Sequence, residues 1–133
     1  MKSFLNELKQ KDFTQGEKLE AEALIIAQKV LHNMGMDFIP PSYAGFLKHY
    51  NGIKFDGSYL FGATVDDDLD IIDKNAQMKK PENTILLGYN DFDLLCYNFL
   101  LKQYQIVDRD DFKILDTFTE EEYEYALSKI MNF

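Results

Sequence analysis

Ile39-Pro-Pro-Ser-Tyr-Ala-Gly-Phe-Leu-Lys-His-Tyr-Asn-Gly52 is the stretch whose reading decides the fold. Proline has no amide hydrogen and a fixed φ, so it suits a helix entrance and not an interior; Pro40 and Pro41 therefore mark a start. Tyr43, Phe46, Leu47 and Tyr50 then recur at the spacing that lines one helical face, and Asn51-Gly52 supplies residues tolerant of left-handed backbone that stop the helix. From Ile53 to Phe61 the chain reads as a hairpin around Asp56-Gly57, the dipeptide favoured in tight turns between paired strands. Helix, stop and hairpin form a wedge against which a sheet can be built.

Toward the amino terminus, Phe4, Leu5, Leu8 and Phe13 predict a first short helix. Thr14-Gln-Gly-Glu17 has the form of a reciprocal capping box and predicts that a longer helix starts at Thr14. Its apolar stripe is Leu19, Ala23, Ile26, Ala27 and Val30, widened by Leu24, Ile25 and Leu31. Glu17, Lys18, Glu20, Glu22 and Lys29 are expected to face water, and Gly35 to end the helix.

Toward the carboxyl terminus, Asp66, Asp67, Asp68, Asp70 and Asp73 crowd a short segment. Asp66, Asp68 and Asp70 have the alternate spacing that opens a calcium loop, but the glycine position holds Ile71 and the closing glutamate position holds Gln77. The acids therefore read as a solvated face and a helix entrance, with Leu69, Ile72 and Ala76 packing beneath and Lys79-Lys80-Pro81 ending the helix.

Ile85 to Tyr89 is aliphatic on both faces and predicts an interior strand, with Gly88 allowing a bend or a close approach. Asp93 to Phe99, Tyr104 to Asp108 and Phe112 to Phe118 continue as an antiparallel meander. Its last turn is Asp108-Arg109-Asp110-Asp111, where Arg109 is expected to be neutralised by the flanking carboxylates. Thr119 with Glu122 makes a second capping box, with Phe118 stapling onto Tyr123, and Tyr123, Ala126, Leu127 and Ile130 form the sheet-facing side of a final helix. The fold class expected is α+β: a single domain over residues 1–133, mainly antiparallel sheet of about five to six strands, packed with amino-terminal helices and a carboxy-terminal helix.

A length of 133 residues and an apolar fraction of 46% suit one packed domain. The first residues are too charged for a secretory signal, and the longest aliphatic run, Ala23 to Ala27, is far too short to span a bilayer, so a cytoplasmic location is expected. Cys96 is the only cysteine, within Leu-Leu-Cys-Tyr, and reads as a small core residue. The formal charge of −9 repels phosphate backbones and anionic lipid, which disfavours direct nucleic-acid or membrane binding and makes a basic partner the natural candidate. No phosphate loop, cysteine pair or nucleophile elbow occurs, and His32 and His49 lack a second histidine or cysteine at ligand spacing. No enzyme activity, metal or cofactor is expected.

Pro40-x-x-Tyr43-x-x-Phe46-Leu47 running into Tyr50-Asn51-Gly52 resembles the amino-terminal signature of the SUKH superfamily, which includes bacterial toxin-immunity proteins and fungal cell-wall regulators. Ile85 to Asp93 (Ile-Leu-Leu-Gly-Tyr-Asn-Asp-Phe-Asp) and Tyr104 to Phe112 (Tyr-Gln-Ile-Val-Asp-Arg-Asp-Asp-Phe) resemble its YrhA-like branch. The chain has no tryptophan, which many members carry near the hairpin after Gly52; Phe55 and Tyr59 stand in that region. The resemblance implies an immunity protein that binds a polymorphic toxin, often a nuclease, or alternatively a non-enzymatic regulatory module with no toxin. The contact residues expected on charge and aromatic content are Asp66, Asp67, Asp68, Asp70, Asp91 and Asp93, with Tyr97 as an exposed anchor. A monomer or weak homodimer is expected, since open sheet edges permit pairing.

Overall fold

The computed structural model describes residues 3–63 and 68–133. In chain order, α1 is Phe4–Lys9, β1 Thr14–Gln15, α2 Ala21–Asn33, α3 Pro41–Leu47, β2 Ile53–Phe55 and β3 Ser58–Leu60. Then follow α4 (Ile71–Gln77), β4 (Thr84–Tyr89), β5 (Asp93–Asn98), β6 (Gln103–Asp108), β7 (Ile114–Phe118), a 3-10 turn (Glu120–Glu122) and α5 (Tyr123–Met131). Among the described residues, seven strands form one antiparallel sheet in sequential order, which makes the chain a single α+β domain with one strand more than the sequence suggests.

That additional strand corrects a reading. Thr14 does not cap a helix: Thr14 and Gln15 pair with Lys54 and Ile53, and the amide of Gly16 donates to the carbonyl of Gly52 at 3.0 Å. The second helix starts six residues later than a cap at Thr14 would place it, at Ala21 after Glu20. The stripe shifts too. Ala27 and Leu31 are buried, while Ile25 and Ile26 are 53% and 52% exposed, because α2 presents only a narrow side to the core.

The wedge forms as its sequence dictates. Pro40 is the N-cap of α3, Tyr43, Phe46 and Leu47 are buried, and Gly52 takes a φ of +93° that a side chain would strain. Asp56 and Gly57 both have positive φ, the condition of a type I′ turn, and Ile53 pairs with Leu60 across it. Pairing register places Ile53, Leu60, Ile85, Leu95, Tyr97, Tyr104 and Ile106 on the face covered by α3 and α5. Each large apolar side chain sealed there stabilises the fold by about 1.5–3 kcal/mol. The hydroxyl of Tyr43 crosses this core and donates to the carbonyls of Phe61 and Leu87, at 2.5 and 3.2 Å.

Two asparagines act as substitutes for strand neighbours. Asn51 donates from Nδ2 to the carbonyls of Ala63 (2.9 Å) and Glu17 (2.8 Å), and its Oδ1 accepts from the Ala63 amide at 2.8 Å. It does not itself adopt the left-handed backbone expected of a helix stop. Beneath α4 the buried residues are Ile71 and Asn75; Ala76, expected to pack, is exposed, because Asn75 turns its side toward β4. The carboxyl end of the chain matches expectation: Thr119 and Glu122 form the reciprocal box, and Ala126, Leu127, Ile130 and Met131 are buried. Among the described residues no helix is long and apolar enough to cross a membrane.

Candidate functional site at the acidic turns

The β4–β5 turn is organised by Asn90. Its Oδ1 accepts from the amides of Phe92 (3.0 Å) and Asp93 (2.8 Å), and its Nδ2 donates to the Ile130 carbonyl at the end of α5. With the backbone thus satisfied inward, the side chains of Asp91 and Phe92 have only solvent to face, and Phe92 is 78% exposed. The neighbouring β6–β7 turn is built in a similar way: Asp108 Oδ1 accepts from the amides of Asp110 (2.8 Å) and Asp111 (3.3 Å).

Arg109 fastens the two turns together. Its amide donates to the Phe92 carbonyl at 3.0 Å and its guanidinium to the Asn90 carbonyl at 2.8 Å, while its charge lies 5.0 Å from the centre of the Tyr89 ring. The expectation of neutralisation by flanking carboxylates is thereby corrected. A carbonyl and a π-face hold the cation, while Asp110 and Asp111 are exposed and half-buried Asp108 braces the turn. Asp93 sits opposite Asp108 in the register. Burial, reinforced by the Asp108 charge and opposed by Lys129, raises the pKa of Asp93.

Tyr89 carries this surface toward Asp68. Its ring stacks on Tyr59 at 4.6 Å and 9°, and Lys54 and Lys74 each lie within 6 Å of one of the two rings, at 5.6 and 5.9 Å. Lys54 pairs with Asp68 at 3.0 Å, and both Asp68 and Arg109 act electrostatically on Tyr89. Asp68 and Arg109 therefore flank the Tyr59–Tyr89 pair, whereas Asp93, alternating with Leu94, the partner of Tyr89, belongs to the other face of the sheet.

The structure distributes the sequence-predicted residues unevenly. Asp91 and Asp93 share the turn, and Asp68 lies across the tyrosine pair. Asp70 is engaged locally as the N-cap of α4, accepting from the Ile72 amide at 2.9 Å. Asp66 and Asp67 lie outside the described residues. Tyr97 is not an exposed anchor: it is 7% exposed and packs edge-on against Tyr104 at 5.3 Å, because its register turns it toward α3. The large apolar side chain that this turn does leave exposed is Phe92, which sequence reasoning passed over. A lone phenylalanine inside the polar run Asn-Asp-Phe-Asp was the available signal.

Burial pushes the Cys96 thiol up to about 12. His32 stacks on Phe38 at 6.2 Å, and among the described residues no group of three or more His, Cys, Asp or Glu side chains could hold a metal ion. No protein-family model matches the chain, and no curated protein matches it either.

Proposed function

We propose that this chain is a SUKH-type immunity protein that binds a polymorphic toxin domain, in keeping with a nuclease, and masks its basic surface without carrying out chemistry of its own. The observation that carries the reading is Phe92, 78% exposed at the tip of a turn whose flanking residues are Asp91 and Asp93, with Asp108, Asp110 and Asp111 in the turn alongside. Phe92 is the most exposed of the large apolar side chains among the described residues. Ringed by carboxylates on a chain of charge −9, it suits a cationic surface: the acids accelerate encounter, and a desolvated aromatic centre slows release. Such anchors are typically worth about 2 kcal/mol or more. The partner acts in the compartment where this chain resides, which we take to be the cytoplasm of the toxin-producing cell.

The test is co-expression with the toxin domain encoded beside this chain's gene, scored as growth. Rescue by the wild-type chain, weakened by Phe92→Ala with Asp91→Asn, supports the proposal. Failure of the wild-type chain to protect, or undiminished protection by the double variant, overturns the role or the surface respectively.

A further inference from the structure

A groove of about 540 Å³ lies away from the acidic turns, where Tyr97, toward the far end of β5, meets the segment joining α2 to α3. Asp37, Phe38 and Pro40 line it from the joining segment, Tyr97 from β5, Phe99 from just after it, and Glu120 from the 3-10 turn. The joining segment is held in place by Gln28, whose Oε1 accepts from the Ile39 amide at 2.7 Å. Phe38 is 61% exposed even though it stacks on His32.

Both carboxylates are anchored through one oxygen. Asp37 Oδ1 accepts from the Phe38 amide at 2.8 Å, and Glu120 Oε1 accepts from the Ser42 amide and hydroxyl at 3.1 and 2.8 Å. The Tyr104 hydroxyl then donates to Ser42 Oγ at 2.6 Å, which fixes the serine that orients Glu120. Lys102 also lines the groove, but among the described residues neither carboxylate is ion-paired. After burial, Glu120 and Asp37 are the charges that raise the Tyr97 hydroxyl, so both bear on the same ring.

We propose that this groove receives the guanidinium of an arginine presented by a protein partner, the planar cation lying against the aromatic lining and donating to Asp37 and Glu120. Rings and carboxylates together select a flat cation: the rings attract positive charge at their faces, and the second oxygen of each carboxylate can accept one N–H of the guanidinium. An anion would meet two like charges, and a purely apolar side chain would bury the second oxygen of each carboxylate without a partner. The volume exceeds one side chain and admits the residues flanking the arginine in an extended segment. This deepens the reading of a basic partner and rests on it for the source of the arginine, but the groove is a second contact, separate from the Phe92 turn.

The experiment is an amide-shift titration of the full ¹⁵N-labelled chain with an end-blocked leucine-arginine-leucine peptide, its citrulline counterpart, and the Asp37→Asn and Phe38→Ala variants. The arginine peptide is expected to shift Phe38, Tyr97, Phe99 and Glu120, with the citrulline peptide about tenfold weaker and each variant several-fold weaker. Equal binding of the two peptides, no shift at these residues up to about 10 mM, or shifts confined to residues 90–93 would overturn the proposal. A silent titration beside intact growth rescue removes the groove and leaves the immunity reading standing; peptide binding without any rescue does the reverse.

Discussion

Asn75 serves Leu86 as an adjoining strand would: its Oδ1 accepts from the Leu86 amide at 2.8 Å and its Nδ2 donates to the Leu86 carbonyl at 2.9 Å. β3 ends at Leu60, opposite Gly88, so this part of the β4 edge has no strand beside it. Replacing Asn75 by leucine keeps a similar volume and leaves two buried backbone groups unsatisfied. The expected loss is about 2–4 kcal/mol of unfolding free energy, read from urea denaturation, and an unchanged midpoint would refute this role.

The glycines separate into those the packing requires and those it does not. A Cβ at Gly88 would overlap the Tyr59 carbonyl oxygen and touch Leu60 Cδ2 at 3.0 Å, whereas one at Gly45, in the middle of α3, meets nothing within 4 Å. Gly88→Ala is expected to cost about 1–3 kcal/mol or more by forcing β3 from β4, and Gly45→Ala to stabilise by about 0.5–1 kcal/mol through helix propensity. Thermal melts of the two variants should move in opposite directions.

Local chemistry made most of the scaffold legible, and long-range pairing hid the rest. Asp56-Gly57, Gly35 and the Thr119–Glu122 box act through neighbours in the chain, so their turns and caps could be read directly. Thr14 misled because Thr-Gln-Gly-Glu satisfies a local capping rule, yet its backbone is claimed by β2, far along the chain. Asn51 looked like a helix stop, and its carboxamide in fact bridges Glu17 and Ala63. At the candidate site, Asp91 and Asp93 were legible as turn acids. The burial of Tyr97 and the exposure of Phe92 were set by sheet register and by Asn90, which sequence periodicity does not report.

Cys96 is fully buried, and its pKa of about 12 keeps it protonated at physiological pH. A thiol reagent at pH 8 should leave the native chain unmodified and label it completely in denaturant. Rapid labelling of the native chain would contradict the burial.

Asp93 is predicted to weaken the fold it belongs to. Its folded pKa is raised, so the ionised form is disfavoured in the native state; the penalty is complete above the folded value and fades as pH falls toward the unfolded value of about 4. Asp93→Asn should therefore raise the urea midpoint at pH 7, with the gain vanishing below about pH 4. Under the proposed function the same variant binds its partner more weakly, and a stability gain with loss of binding is the signature expected of a contact acid. A variant less stable than wild type at pH 7 would contradict the electrostatic account.

Under the proposed function, the most direct test of the partner surface is the affinity for a cognate toxin domain, measured by calorimetry at several salt concentrations for wild type, Phe92→Ala and Asp91→Asn/Asp93→Asn. Phe92→Ala is predicted to weaken binding by about tenfold or more, and the double aspartate variant to flatten the salt dependence. Wild-type affinity and an unchanged salt slope in both variants would contradict the account.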